Sequence, residues 1–261
     1  MLQIFDLHRP GRESTRLQLG KTRRSRDGQK GLGSALAWQP NLLAVGTYAP
    51  GSIYLYDVRA QSTEVAAIIT GTCVVGHGKA HGRKTKHYFL DDELSFSAAK
   101  VQWYQSRARG GVTQLEFDQD GCSLFSSCRR SDAVLQWDLR RLSSHAGFCP
   151  GVASYATDND TNQRLEFALK DSHVYIGGRD KCVRIYSQTS GKLVTTLEDL
   201  PDAANGVSPS TQASGKTLLA VACGSRQFPS EDDLDEEDPS MCPSGANELR
   251  LLEVAHPPVG A

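Results

Sequence analysis

"VTQLEFDQDGCSLFSSCRRSDAVLQWDLRR", residues 112–141, holds three short runs, VTQLEF, SLFSSC and AVLQWD, parted by DQDG and by CRRSD. Each run is rich in residues that suit a pleated, half-buried surface, and the Gly, Asp and Ser between them favour tight turns. The stretch predicts an antiparallel meander whose third strand closes on the pair Trp137-Asp138.

Working outward, the same set recurs. LAWQP, LLAVGTY, SIYLYDV and VAAIIT precede it; HVYIGG, CVRIYSQ and KLVTTL follow, then TLLAVAC and ELRLLEV. No segment sustains a helical period. A set of strands repeated along a chain, with turns at fixed places, is the signature of a propeller blade. The closing pairs are Tyr56-Asp57, Trp137-Asp138, Tyr186-Ser187 and Leu252-Glu253, spaced by 81, 49 and 66 residues. A blade of this kind takes ~40 to 45 residues, so the excess is insertion.

The predicted fold class is therefore all-β, a partial β-propeller over residues 1–256. Its four blades fall at about 31–71, 111–142, 160–198 and 203–255, with inserted loops at 72–110 and 229–246. The opening LQIFDLHRPG reads as the last strand of a preceding blade. Four blades allow a small closed ring or an open arc, and an open arc is the expectation.

Composition limits the function. The chain has 261 residues with 29 basic against 30 acidic side chains, so attraction to a polyanion has to come from a local patch. Its seven cysteines are odd in number and scattered, which suits free thiols in a reducing compartment. The N-terminus lacks a signal-peptide pattern, and no apolar run approaches the ~20 residues of a membrane helix. A soluble intracellular protein, with no membrane partner, is expected. Asn159-Asp160-Thr161 matches a glycosylation triplet that matters only on a secretory route.

Catalysis and cofactors find no support. No nucleophile elbow, metalloprotease helix or phosphate loop is present. Cys73, His77, His81 and His87 lack the paired thiolates and fixed spacing of a zinc site, so no metal and no cofactor is expected. The basic run KTRRSR, residues 21–26, reads equally as a nuclear import signal, an RNA contact or a solvated loop.

The turns between second and third strands share one face of a propeller. They are TYAPG (47–51), CRRSD (128–132), GGRDK (177–181) and GSRQF (224–228). Three of the four carry arginine, giving Arg129, Arg130, Arg179 and Arg226, with Lys181 beside them. Exposed arginines often only cover apolar surface. A one-sided set also suits phosphate, because the guanidinium offers a planar fork to its oxygens and stacks on bases. Asp132, Asp138 and Asp180 are expected to be structural, the turn aspartates Asp132 and Asp180 as buried acceptors, and Trp137 is expected to seek a partner for its ring N–H.

Longer stretches are more specific. VTQLEFDQDG, SLFSSCRRSDAVLQWDLR, TNQRLEF (161–167), ANGVS (204–208) and GSRQFP with its acidic follower EDDLDEEDPS resemble, in order and spacing, the telomerase Cajal body protein family of WD-repeat proteins. IFDLHRPGR and SALAWQPNLLAVGTY are similar too, so the resemblance runs from about Leu2 to about Val254. It implies a noncatalytic nuclear propeller that binds box H/ACA small Cajal body RNAs, and in some lineages telomerase RNA, with the core proteins of those particles as partners and no DNA. Arg129, Arg130, Arg179, Lys181 and Arg226 are the candidate RNA contacts. Family members resemble seven blades after a low-complexity region, whereas this chain matches the C-terminal part, and Ser187 stands where aspartate is usual.

Two other readings stay open. Asp57-Val58-Arg59 and Asp138-Leu139-Arg140 resemble the short boxes by which substrate receptors of cullin-RING ubiquitin ligases dock on their adaptor. A propeller also serves as a general protein-interaction platform.

Overall fold

A computed structural model describes residues 2–9, 11, 13–17, 19, 29, 31–48, 52–60, 64–69, 110–141, 151–212, 216–225 and 247–254. Seventeen strands fall into five antiparallel sheets. The first has two strands, β1 (Leu2–Phe5) and β2 (Glu13–Leu17). Blade A follows with β3 (Gly33–Trp38), β4 (Leu42–Thr47), β5 (Ser52–Asp57) and β6 (Glu64–Ile69). Blade B has β7 (Val112–Phe117), β8 (Ser123–Cys128), β9 (Ser131–Asp138) and β10 (Gly151–Asn159). Blade C has β11 (Phe167–Lys170), β12 (His173–Gly177), β13 (Val183–Ser187) and β14 (Leu193–Leu197). Blade D has β15 (Ala204–Thr211), β16 (Thr217–Cys223) and β17 (Glu248–Val254).

Strand order within each blade follows the chain, and the first strands β3, β7, β11 and β15 neighbour one another along the inner side. This is a partial WD-repeat β-propeller. Its core lies between blades, because each sheet is apolar on both faces. Ile53 and Leu55 of A meet Leu115, Leu124 and Trp137 of B. Phe125 and Tyr155 of B meet Phe167, Val174 and Tyr186 of C. Tyr175 and Ile185 of C meet Leu219 and Val221 of D. Phe125 and Tyr155 stack at 6.1 Å between ring centroids, and Tyr186 meets Tyr155 edge-on at 5.4 Å.

The two end faces differ from this interior. β1 and β2 cover only the outer part of blade A: Leu2, Ile4 and Leu19 pack on Leu43, Val45 and Tyr56, while Leu36 and Trp38 on β3 stay half exposed. Beside β1 lies a cavity of about 670 Å³ lined by Leu2, Leu19, Leu36, Val45 and Gln114, with Arg164 at its edge. On blade D, Leu249 and Leu251 point away from the core. Among the described residues no apolar cluster joins blade D to β1 and β2, so the arrangement is an open arc.

Two strands depart from the sequence reading. The opening segment is a pair of strands and not the lone last strand expected, with Leu2 opposite Leu17. ESTRL has a single apolar residue and so gives no period-two signal. The second blade does not end at 142; β10 pairs with β9 and carries its sheet to Asn159. β10 is an edge strand of mostly small and polar residues, in which Tyr155 is fully buried while Val152 stays exposed. The inserted segments 72–110 (Gly110 apart) and 229–246, the run 21–26, and Cys73, His77, His81 and His87 lie outside the described residues.

Candidate nucleic-acid interface

On one face of the arc the turns between second and third strands meet the connections that lead from one blade to the next. The Arg129 N–H donates to the Gly111 carbonyl (3.0 Å), and the Tyr48 N–H to that of Leu32 (2.9 Å). Further round, the Arg179 N–H reaches Asp158 O (2.8 Å), Leu200 N–H reaches Lys181 O (3.2 Å), and Ala204 N–H reaches Gly178 O (3.0 Å). Backbone bonds of this kind fix the turns against the connections, so side chains leaving them share a rigid base.

The sequence-predicted cations fall into three groups. Arg129 and Arg130 form the two-residue turn between β8 and β9, and neither meets a carboxylate among the described residues. Arg129 lies over the Tyr48 ring, its guanidinium carbon 5.5 Å from the ring centroid. Arg130 has φ 51, the left-handed region, and its Nε donates to Asn162 Oδ1 at 3.1 Å. Arg179 is differently placed: its guanidinium faces Asp158 Oδ2 at 3.4 Å and donates to Asp160 O at 3.2 Å. Lys181, φ 61, is exposed near Asp202. Burial pushes the Asp202 carboxyl up, but hydrogen bonds from Ser225 and Ala203 and the Lys181 charge outweigh it and hold the group below its ordinary value. Arg226 lies outside the described residues.

The arginine surface is therefore centred on blades A and B, and the carboxylates of Asp158 and Asp160 partly offset it toward blade C. Tyr48 and Asn162 belong to it, and the sequence reading singled out neither. Tyr48 stands in TYAPG, the one turn of the four without arginine; Asn162 stands in TNQRLEF, quoted for its resemblance.

TNQRLEF and ANGVS are the two junctions into blades C and D. Leu165 and Phe167 are buried, Arg164 pairs with Glu166 at 3.2 Å, and the Glu166 N–H donates to Asn205 O at 2.8 Å. The Asn205 amide donates to Gly224 O, so the second motif is tied to the turn that begins GSRQFP. Asn159, of the glycosylation triplet, is 3% exposed and its Nδ2 donates to Cys128 O at 3.0 Å. That side chain is closed to modification in the folded chain.

The aspartates divide. Asp138 is buried and accepts from the Arg140 N–H (3.0 Å), Nε (3.0 Å) and Nη2 (3.1 Å). Asp57 accepts the same three bonds from Arg59, which hold its carboxyl at about 2. Both boxes close on themselves, at the opposite end of β5 and β9 from the arginine turns. Trp137 Nε1 donates to Ser126 Oγ at 2.9 Å. Asp180 pairs with the Arg184 guanidinium but is not buried, and Asp132 is exposed with no hydrogen bond among the described residues. The burial expected of these last two is corrected: each sits beyond the packed part of its sheet, at the strand-turn boundary.

Among the described residues, no group of three or more His, Cys, Asp or Glu could hold a metal ion, and no helix is long and apolar enough to cross a membrane. No family model matches the chain. The crystal structure of the computationally designed Ika4 protein is similar in fold, with a TM-score of 0.51 at 11% identity, covering 92% of this chain and 97% of that one. Telomerase Cajal body protein 1 of Mesocricetus auratus is 29% identical over 98% of this chain and 40% of its own length. The Homo sapiens protein of that name is 28% identical over 90% of this chain and 36% of its own length. A homolog from Drosophila melanogaster is 32% identical over 28% of the chain. The chain spans about 40% of the length of the curated relatives it matches. With similarity of 27–29% carried through 90–98% of its residues by five such relatives, on a partial propeller whose blade junctions are its most specific stretches, the chain belongs to the telomerase Cajal body protein family.

Proposed function

We propose that this chain is a noncatalytic, nuclear RNA-binding scaffold. It takes box H/ACA small Cajal body RNAs, and telomerase RNA in lineages that use it so, into Cajal bodies together with the core proteins of those particles. The observation that carries this reading is the Arg129-Arg130 turn: two adjacent guanidiniums, neither facing a carboxylate among the described residues, on the face where TNQRLEF enters blade C. A polyanion with exposed bases suits such a surface, because guanidinium forks match phosphate oxygens and their planes stack on bases. Arg179 and Lys181 are outer contacts that have to compete with Asp158 and Asp202, and Arg226 extends the set toward blade D.

The test is binding of a box H/ACA small Cajal body RNA to the full chain at several salt concentrations. Replacing both residues, Arg129→Glu and Arg130→Glu, lowers affinity and reduces the salt slope by about two, as loss of two phosphate contacts requires. A folded double variant with unchanged affinity and slope would remove these arginines from the interface. The self-closed Asp57–Arg59 and Asp138–Arg140 forks give no support to adaptor docking.

A further inference from the structure

We infer that Tyr48 and Arg129 together form a stacking platform for one unpaired RNA base, with Arg130 placed for the adjoining phosphate. This rests on the RNA-binding reading above and adds to it the chemistry of a single nucleotide subsite. Tyr48 is an aromatic side chain left 52% exposed at the end of β4. Chance exposure of a turn tyrosine would not need a prepared base, and this one has it.

Gly110 and Gly111 run beneath the pair. A Cβ on Gly111 would come within 2.2 Å of the Tyr48 carbonyl oxygen and 2.4 Å of its Cα, and one on Gly110 within 2.6 Å of the Arg129 Cβ. Only glycine lets the backbone entering blade B pass so close to both residues. The Tyr48 and Arg129 N–H groups are each spent on backbone carbonyls, so the platform is held from two blades. The Arg129 guanidinium then lies over the ring at 5.5 Å, a stack of one aromatic and one cationic plane. Next to it, Arg130 is turned the other way by its left-handed backbone and leans on Asn162.

An aromatic plane topped by a guanidinium extends readily by one more flat ring, and base-on-aromatic stacking is a large term in single-strand binding. Two neighbouring cations without a carboxylate favour a ring that brings a phosphate, which selects a nucleotide over an apolar peptide side chain. The subsite is therefore for an unpaired base in a loop or a single strand; a base in a duplex has no free face to offer.

The experiment titrates the full chain against a single-stranded RNA in which 2-aminopurine replaces each base in turn. Stacking on Tyr48 quenches the fluorescence at one position. Tyr48→Ala abolishes that quench and weakens binding roughly tenfold, a middle value for one stacked base, with the salt slope unchanged. Tyr48→Phe keeps both the quench and the affinity. If Tyr48→Ala leaves quench and affinity intact while the Arg129→Glu, Arg130→Glu variant loses binding, the platform is wrong and the RNA reading stands. If the wild-type chain leaves every RNA unbound and instead retains a protein segment through Tyr48, both are wrong.

Discussion

Glu116 shows what one side chain on an inner strand does to stability. It lies on β7, half buried against β11, where burial pushes its carboxyl up to about 7 despite a hydrogen bond from the Leu169 N–H. The Gln114 amide is 3.5 Å away, at the limit of a hydrogen bond, and gives little help. A carboxyl raised from 4.5 in the unfolded chain to about 7 in the folded one favours the native state most when protonated. That favour is complete below 4.5 and is lost as pH rises toward about 7. Asp57 has the opposite sign: its stabilisation is present above 3.8 and is lost as pH falls through about 2, outside this window. Glu116→Gln is therefore expected to raise the urea midpoint at about pH 8 more than at about pH 5, and to flatten the dependence between them. Equal shifts at both pH values would show that the carboxyl is solvated in the native state.

At the scale of elements, each blade junction is fastened by a hydrogen bond between neighbouring inner segments, with a different chemistry each time. Ser34 Oγ donates to Val112 O at 2.6 Å between A and B. Between B and C, Gln114 clasps Phe167 at both polar groups, donating from Nε2 to its carbonyl at 2.7 Å and accepting its N–H at 3.0 Å. Between C and D the backbone of Glu166 and Asn205 serves. Gln114→Ala strands both groups of Phe167 at once and is expected to cost about 1–3 kcal/mol in thermal or urea unfolding. Gln114→Glu should not restore that loss, since a carboxylate accepts the N–H but repels the carbonyl. Full rescue by Glu would mean that the carbonyl bond carries nothing. These clasps also mark what the sequence made legible. Runs such as LLAVGTY and CVRIYSQ, apolar and bounded by turns, named their own strands. β2 and β10 did not, since an edge strand of small and polar residues has no face to alternate. Arg129 and Arg130 could be placed on one face from repeat logic alone. Tyr48 could not, because its role depends on Gly110 and Gly111 passing beneath from another part of the chain.

For the molecule as a whole, a stack of sheets is apolar on every face, and interior faces are matched while the end faces are not. Leu219, on the inner face of blade D, is fully buried against blade C. Leu249 and Leu251 sit on the other face of the same blade at 68% and 63% exposure, opposite Ala222 and Ala220. The repeat calls for apolar residues at all these positions, because in a propeller every blade face meets a neighbour. The arc described here gives the two faces of blade D different energetics. Leu219→Ala removes a packed side chain and is expected to cost ~2–5 kcal/mol. The double change Leu249→Lys and Leu251→Lys takes nothing from a core and should stay within about 0.5 kcal/mol per site. It also removes an exposed apolar patch of the kind that drives association, so the sedimentation coefficient should become less dependent on concentration. Urea unfolding and sedimentation on the same samples decide the matter. A large loss of stability from the lysine pair would mean that this face is covered in solution, and that the propeller is more nearly closed than an arc of four blades.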